Sequence, residues 1–183
     1  MCVLCYISTD RVIEDIPFDE NDRKFNVQRI EERFSHMTKQ FVYYCGSRMG
    51  CGCGFGYMHI TEDILLRTDI ELQHGKLTEE TEWLWWNQNE PLPVDKEEFD
   101  EKAEEIRASH QDTAALYRLI EETCKAGFDC ELLVCWDGDE NKPIGKTSFV
   151  HIGQEKINVD FQAIRNQAEV WEKVLLYRFV LEN

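Results

Sequence analysis

The sequence predicts an α+β fold, a mixed and mainly antiparallel sheet with helices gathered on one side, from three observations. Short apolar and β-branched runs cluster toward the two ends of the chain, at 2–7, 41–45, 130–136, 146–152 and 175–181. The stretch between them, at about 62–127, carries helical spacing and helix-capping residues instead. No Gly/Ser/Pro-rich linker bounds that stretch, so a single domain spans 1–183, with 62–127 as a helix-rich acidic insertion.

In chain order, Cys2–Ile7 is apolar enough for a buried strand, and the acidic segment Asp10–Asp22, which contains Pro17, reads as a loop. From Lys24 to Lys39 the residues Phe25, Val27, Ile30, Phe34 and Met37 recur at near-helical spacing and predict an amphipathic helix. Phe41–Cys45 is β-rich and leads into a hairpin, with a turn over Gly46–Gly50 and a return strand through about Ile60. Glu62–Thr68 is short enough to be helix or loop, whereas Thr78–Trp86 reads as a helix stopped by Pro91 and Pro93. Asp95 with Glu98 forms a capping box for a helix to about Ser109. Asp112 caps another, which turns Ala115, Leu116, Leu119, Ile120 and Thr123 inward and ends at Gly127. Cys130–Trp136 is a central strand and Asp137–Pro143 a turn. Strands follow at Lys146–Ile152 and Lys156–Asp160; the end of the chain is open to two readings, with Val170–Val174 suiting the close of a helix and Leu175–Leu181 a final strand.

Composition narrows the function. A hydrophobic content of 43%, with 11% aromatic residues, belongs to a folded chain. The formal charge of −16 repels phosphates and anionic lipid, which argues against nucleic acid and membrane surfaces and in favour of a cation or a basic protein partner. Residues 62–111 hold fifteen acidic and five basic side chains, which concentrates the charge there. No run approaches the ~20 apolar residues of a membrane helix, and the first residues lack a basic leader, so a cytoplasmic protein is expected. In a reducing compartment its eight cysteines remain thiols or metal ligands.

The segment Cys45–Tyr57 is the most distinctive. Gly50, Gly52, Gly54 and Gly56 alternate with Cys51, Cys53, Phe55 and Tyr57, so an extended chain would have one bare face and one face of thiols and rings. Glycine weakens a strand, and its repetition implies that something lies close to the bare face. Cys51 and Cys53 are candidate zinc ligands, with Cys45 as a third across the hairpin. Cys2 and Cys5, at C-x-x-C spacing, or His36 or His59, would complete the set. The competing reading packs these cysteines as small buried residues.

Other motifs are weaker. Gly46–Gly52 with Ser47 and Arg48 offers donors to an anion but lacks the Lys-Ser/Thr of a phosphate-binding loop. Cys2, exposed by loss of Met1, would be an N-terminal nucleophile, yet no convergent catalytic set accompanies it and no catalytic residue is assigned. Trp83, Trp85 and Trp86 cannot all face one core from a single helix, which makes them candidate partner-binding residues. Asp137, Asp139 and Glu140 read as a solvated turn rather than a calcium loop.

The run Phe41-Val-Tyr-Tyr-Cys-Gly-Ser-Arg-Met-Gly-Cys-Gly-Cys-Gly-Phe55, with the Met-Cys-Val-Leu-Cys-Tyr start and Cys130-Glu-Leu-Leu-Val-Cys-Trp-Asp-Gly-Asp139, resembles small uncharacterised bacterial proteins that share a GCGCGF-type motif. The resemblance implies no known activity. The residues themselves suggest a non-enzymatic binding or regulatory protein, in which the acidic stretch and the tryptophans recognise a basic partner. The alternative is a thiol- or metal-dependent protein, a zinc site or a cysteine enzyme, centred on the glycine–cysteine hairpin.

Overall fold

The computed structural model describes residues 2–55, 60–86, 92–153, 156–159, 161 and 174–181. The chain divides into two compact units, one made of Met1–Gly56 with Asp112–Asn183 and the other of Tyr57–Gln111. None of the described helices is long and apolar enough to cross a membrane.

The first unit is built on six strands: β1 (Val3–Thr9), β2 (Asn26–Ile30), β3 (Phe41–Gly46), β4 (Cys130–Trp136), β5 (Ile144–Ile152) and β6 (Val174–Leu181). Their order across the sheet is β2-β3-β1-β4-β6-β5, and every neighbouring pair is antiparallel except β5 with β6. The fold class is therefore α+β with a mixed, mostly antiparallel sheet. β1 and β4 are near-continuous apolar runs because both of their faces are covered. Val3, Cys5 and Ile7 enter one core with Leu132 and Val134, while Tyr6 enters the other with Leu133 and Cys135.

The first core is closed by Leu116, Ile120 and Cys124 of the long helix described below. The second is closed by Phe34 and Met37, which lie in an irregular segment rather than the expected helix. In place of a helix over Lys24–Lys39, β2 pairs with β3 and buries Val27, and Ile16 bridges Val27 from the other side. Phe25 and Val27 satisfy a period of two as well as a period near four, and pairing with β3 decides between them. Glu131, only 2% exposed, holds the Phe34 segment to the sheet. Its carboxylate accepts from the Thr38 N–H at 2.7 Å, the Thr38 hydroxyl at 2.9 Å and the Ser8 hydroxyl at 2.8 Å. Where Lys156–Asp160 was expected to form a strand, the described residues 156–159 are irregular, although Ile157 and Val159 are buried in the first core.

The second unit contains α1 (Glu62–Gln73), α2 (Glu79–Trp86) and residues 96–111 of α3 (Lys96–Lys125). Its core gathers Ile60, Leu65, Trp85, Phe99, Ala103 and Ile106. The Asp95 carboxylate accepts the Glu98 N–H at 3.0 Å, and Glu98 reaches back to the Val94 N–H at 2.8 Å, as a capping pair does. Two helices were expected over 96–126, but α3 is continuous, because no glycine or proline interrupts it between Ser109 and Asp112. Its end agrees with the expectation. Gly127 has φ +88°, its N–H donates to the Cys124 carbonyl at 2.9 Å, and the Phe128 N–H donates to the Thr123 carbonyl at 3.2 Å.

Candidate metal centre

The glycine–cysteine segment begins where β3 ends, and Ser47 closes its first turn. The fully buried Ser47 takes its own N–H to the Cys51 carbonyl at 2.9 Å and its hydroxyl to the same oxygen at 2.8 Å. The Gly50 N–H returns to the Ser47 carbonyl at 2.8 Å, and Gly50 itself is left-handed at φ +72°, a conformation that glycine adopts without a steric penalty. The Tyr44 hydroxyl donates to the Gly50 carbonyl at 2.7 Å.

Asp112 secures the loop from the helix side. It does not cap a helix start, as expected, but lies within α3 with 3% of its surface exposed. One carboxylate oxygen accepts the Arg48 N–H at 2.7 Å and Arg48 Nε at 3.0 Å, while the other accepts the Phe25 N–H at 3.0 Å. The Arg48 N–H and Nε, which the sequence offers to an anion, are thus directed to Asp112.

After Cys51 the chain makes a 3-10 turn at Gly52–Phe55, where a return strand was expected. The glycines have the expected reason but a different shape. A Cβ on Gly52 would stand 2.7 Å from Cys5 Sγ and 2.9 Å from the Val3 carbonyl oxygen, and one on Gly54 would overlap the Ser47 side chain. Close approach to β1 thus bends the segment. Phe55 anchors its far end, fully buried beside Phe25 and Phe161, with ring centroids 6.3 and 5.4 Å away. Tyr57 and His59 lie outside the described residues. Substituting Gly52 by alanine is expected to lower stability by about 1–3 kcal/mol, the range for overpacking. Urea denaturation checks this, and an unchanged midpoint would contradict the close approach.

The bend carries Cys51 and Cys53 to the start of β1, where Cys2 lies, and the three sulfur atoms fall within 4.8 Å of one another. Cys2 is exposed and the other two half-buried. Backbone groups fix the cluster: the Val3 N–H donates to Cys53 Sγ at 3.2 Å, and the Asp137 N–H donates to the Cys2 carbonyl at 2.9 Å. A hydrogen bond with the Cys53 thiol, reinforced by burial, raises the Cys51 pKa well above the ordinary thiol range. With the cluster empty Cys51 therefore stays protonated at neutral pH, and a metal ion must displace that proton.

The expected trio of Cys45, Cys51 and Cys53 is not the one that converges. Cys45 faces Cys5 across the β1–β3 ladder, and both are fully buried in the first core. Burial raises both of their pKa values. The third thiol at the cluster belongs to Cys2, one of the two supplementary cysteines.

The remaining candidates are not among the three converging thiols. His36 Nε2 is 2.7 Å from the Lys142 carbonyl oxygen. Trp83 is 60% exposed, whereas Trp85 is fully buried and its indole N–H donates to the Thr68 hydroxyl at 3.0 Å. The Trp86 side chain lies outside the described ones. Asp139 pairs with Lys142 at 2.9 Å across a turn whose Gly138 has φ +87°. Sequence reasoning overlooked Asp112 as the anchor of the loop, although the unbroken helical run around it was a signal. Comparison with protein-family models, curated proteins and solved structures gave no match to this chain.

Proposed function

We propose that this protein binds a zinc ion through the thiolates of Cys2, Cys51 and Cys53. The observation that supports this reading is the convergence of three sulfur atoms within 4.8 Å from positions fifty residues apart. Thiolates at about 2.3 Å from zinc in a tetrahedron are about 3.8 Å from one another, so binding needs a contraction of about 1 Å at most. An N–H donated to Cys53 Sγ favours the thiolate over the thiol, as such bonds do at metal–sulfur centres. The net charge of −16 draws cations toward the surface. Three protein ligands leave the fourth position of a tetrahedral ion to water or another small ligand, and the exposure of Cys2 gives access to it.

Elemental analysis of protein purified without chelators tests the reading. About one zinc per chain is expected in the native protein. Cys51→Ser with Cys53→Ser should weaken retention by more than about a hundredfold, since altering even the groups behind a ligand costs 10–100-fold. Cys45→Ala, which changes a core thiol, should leave the zinc in place. Equal retention by the native protein and the double variant would overturn the assignment, as would native protein that takes up no zinc even when it is supplied.

A further inference from the structure

On the face of the sheet away from α3, β1 and β3 bring Tyr6 and Tyr44 opposite each other in register. Phe34 joins them from the covering segment. The Tyr6 ring centroid is 4.6 Å from that of Phe34 and 5.6 Å from that of Tyr44, with the planes inclined at 55° and 61°. These rings, with Ile30, line an open cavity of about 430 Å³ whose other walls are Glu32 and Glu140.

The polar atoms of the cavity are arranged for a cation. The Tyr6 hydroxyl donates to Glu140 Oε1 at 3.3 Å, which orients the carboxylate, and the Tyr44 hydroxyl is spent on the Gly50 carbonyl at 2.7 Å. Among the described residues, neither Glu32 nor Glu140 makes an ion pair with a lysine, arginine or histidine, and none that lines the cavity is basic. Ring faces carry negative quadrupole charge and attract a cation with an apolar shell, which two nearby carboxylates reinforce. A neutral apolar ligand would gain nothing from these carboxylates, and an anion would be repelled.

We propose that this cavity binds a small organic ammonium ion, with its alkylated nitrogen against Tyr6, Phe34 and Tyr44 and its charge balanced by Glu32 and Glu140. None of the residues lining the cavity is a ligand of the proposed zinc, although Tyr44 borders the thiol loop through its bond to the Gly50 carbonyl.

Choline and its uncharged isostere 3,3-dimethyl-1-butanol test the proposal on the full chain, with binding read from aromatic proton shifts in NMR titrations. Choline should bind saturably and shift the Tyr6, Phe34 and Tyr44 resonances, about tenfold more tightly than the isostere. Glu32→Gln with Glu140→Gln keeps an acceptor for the Tyr6 hydroxyl and should weaken choline by a similar factor while leaving the isostere unchanged. Absence of saturable choline binding would overturn the proposal. So would isostere binding of equal strength, which needs no variant to observe, or a double variant that binds choline as the native chain does.

Discussion

Replacing Asp112 by alanine is expected to lower the free energy of unfolding by about 3–5 kcal/mol, the cost of removing one member of a buried charged pair. Asp112 joins three pieces of the first unit that are distant in sequence: the middle of α3, the residue before β2, and the loop that carries Arg48. Its removal takes the acceptor from two backbone N–H groups and from the Arg48 guanidinium at once. Each buried donor left without its acceptor costs about 1–3 kcal/mol. Because Arg48 lies within the turn that precedes Cys51, the same variant should hold zinc less firmly. Urea denaturation measures the stability, and a loss below about 1 kcal/mol would show that the carboxylate is not the anchor described.

Stability of the metal-free, reduced protein should fall steeply as the pH rises above about 9, the second large effect. Cys5, Cys45, Cys130, Cys135 and Cys124 all have pKa values raised chiefly by burial, Cys124 to about 11 and the others further. In the unfolded chain these thiols ionise near 8.5. Above that pH the folded state holds protons that the unfolded state has released, so the slope of stability with pH is negative. The contribution is fully present below about 8.5 and is lost as pH rises, until each thiol ionises in the folded state. Each contributes up to about 1.4 kcal/mol per pH unit, and the Cys124 share ends near pH 11. Several thiols acting together therefore remove an amount comparable with the whole stability of an ordinary domain, about 5–15 kcal/mol. Urea midpoints at pH 7.5 and pH 10 should differ accordingly, and Cys45→Ala should flatten the dependence. Equal midpoints would contradict the burial of these thiols.

The features legible in the sequence were those governed by local pattern. Cys130–Trp136 and the strand beginning at Val174 are near-continuous apolar runs, interrupted by Glu131 and Arg178, and such runs read readily as strands. Gly127 ends α3 as a C-terminal glycine should, and the Asp95–Glu98 pair begins it. What could not be read depended on distant partners. Val27 and Ile30 suit a helix until β3 is present to pair with them. The alternating glycines did signal a close neighbour, but its identity, the Val3 carbonyl and Cys5 thiol of β1, lies some fifty residues away. That neighbour turns the segment into a 3-10 bend and directs Cys51 and Cys53 toward Cys2. Cys45 was expected beside them, but its register opposite Cys5 on β1 sends its thiol into the core. Asp112 carries the signature of a helix cap, and only the loop placed beside it reveals why a carboxylate is buried there.

Addition of cobalt(II) in place of zinc gives the most direct measurement of the proposed thiolate centre. Cobalt bound by three sulfurs in a near-tetrahedral field should show intense sulfur-to-metal charge transfer in the near ultraviolet and strong visible bands, at one ion per chain. Both signals should be lost in the Cys2, Cys51 and Cys53 variants and survive in Cys45→Ala. A spectrum of weak octahedral bands without charge transfer, or one that disappears on changing Cys45 while surviving loss of Cys2, would contradict the assignment.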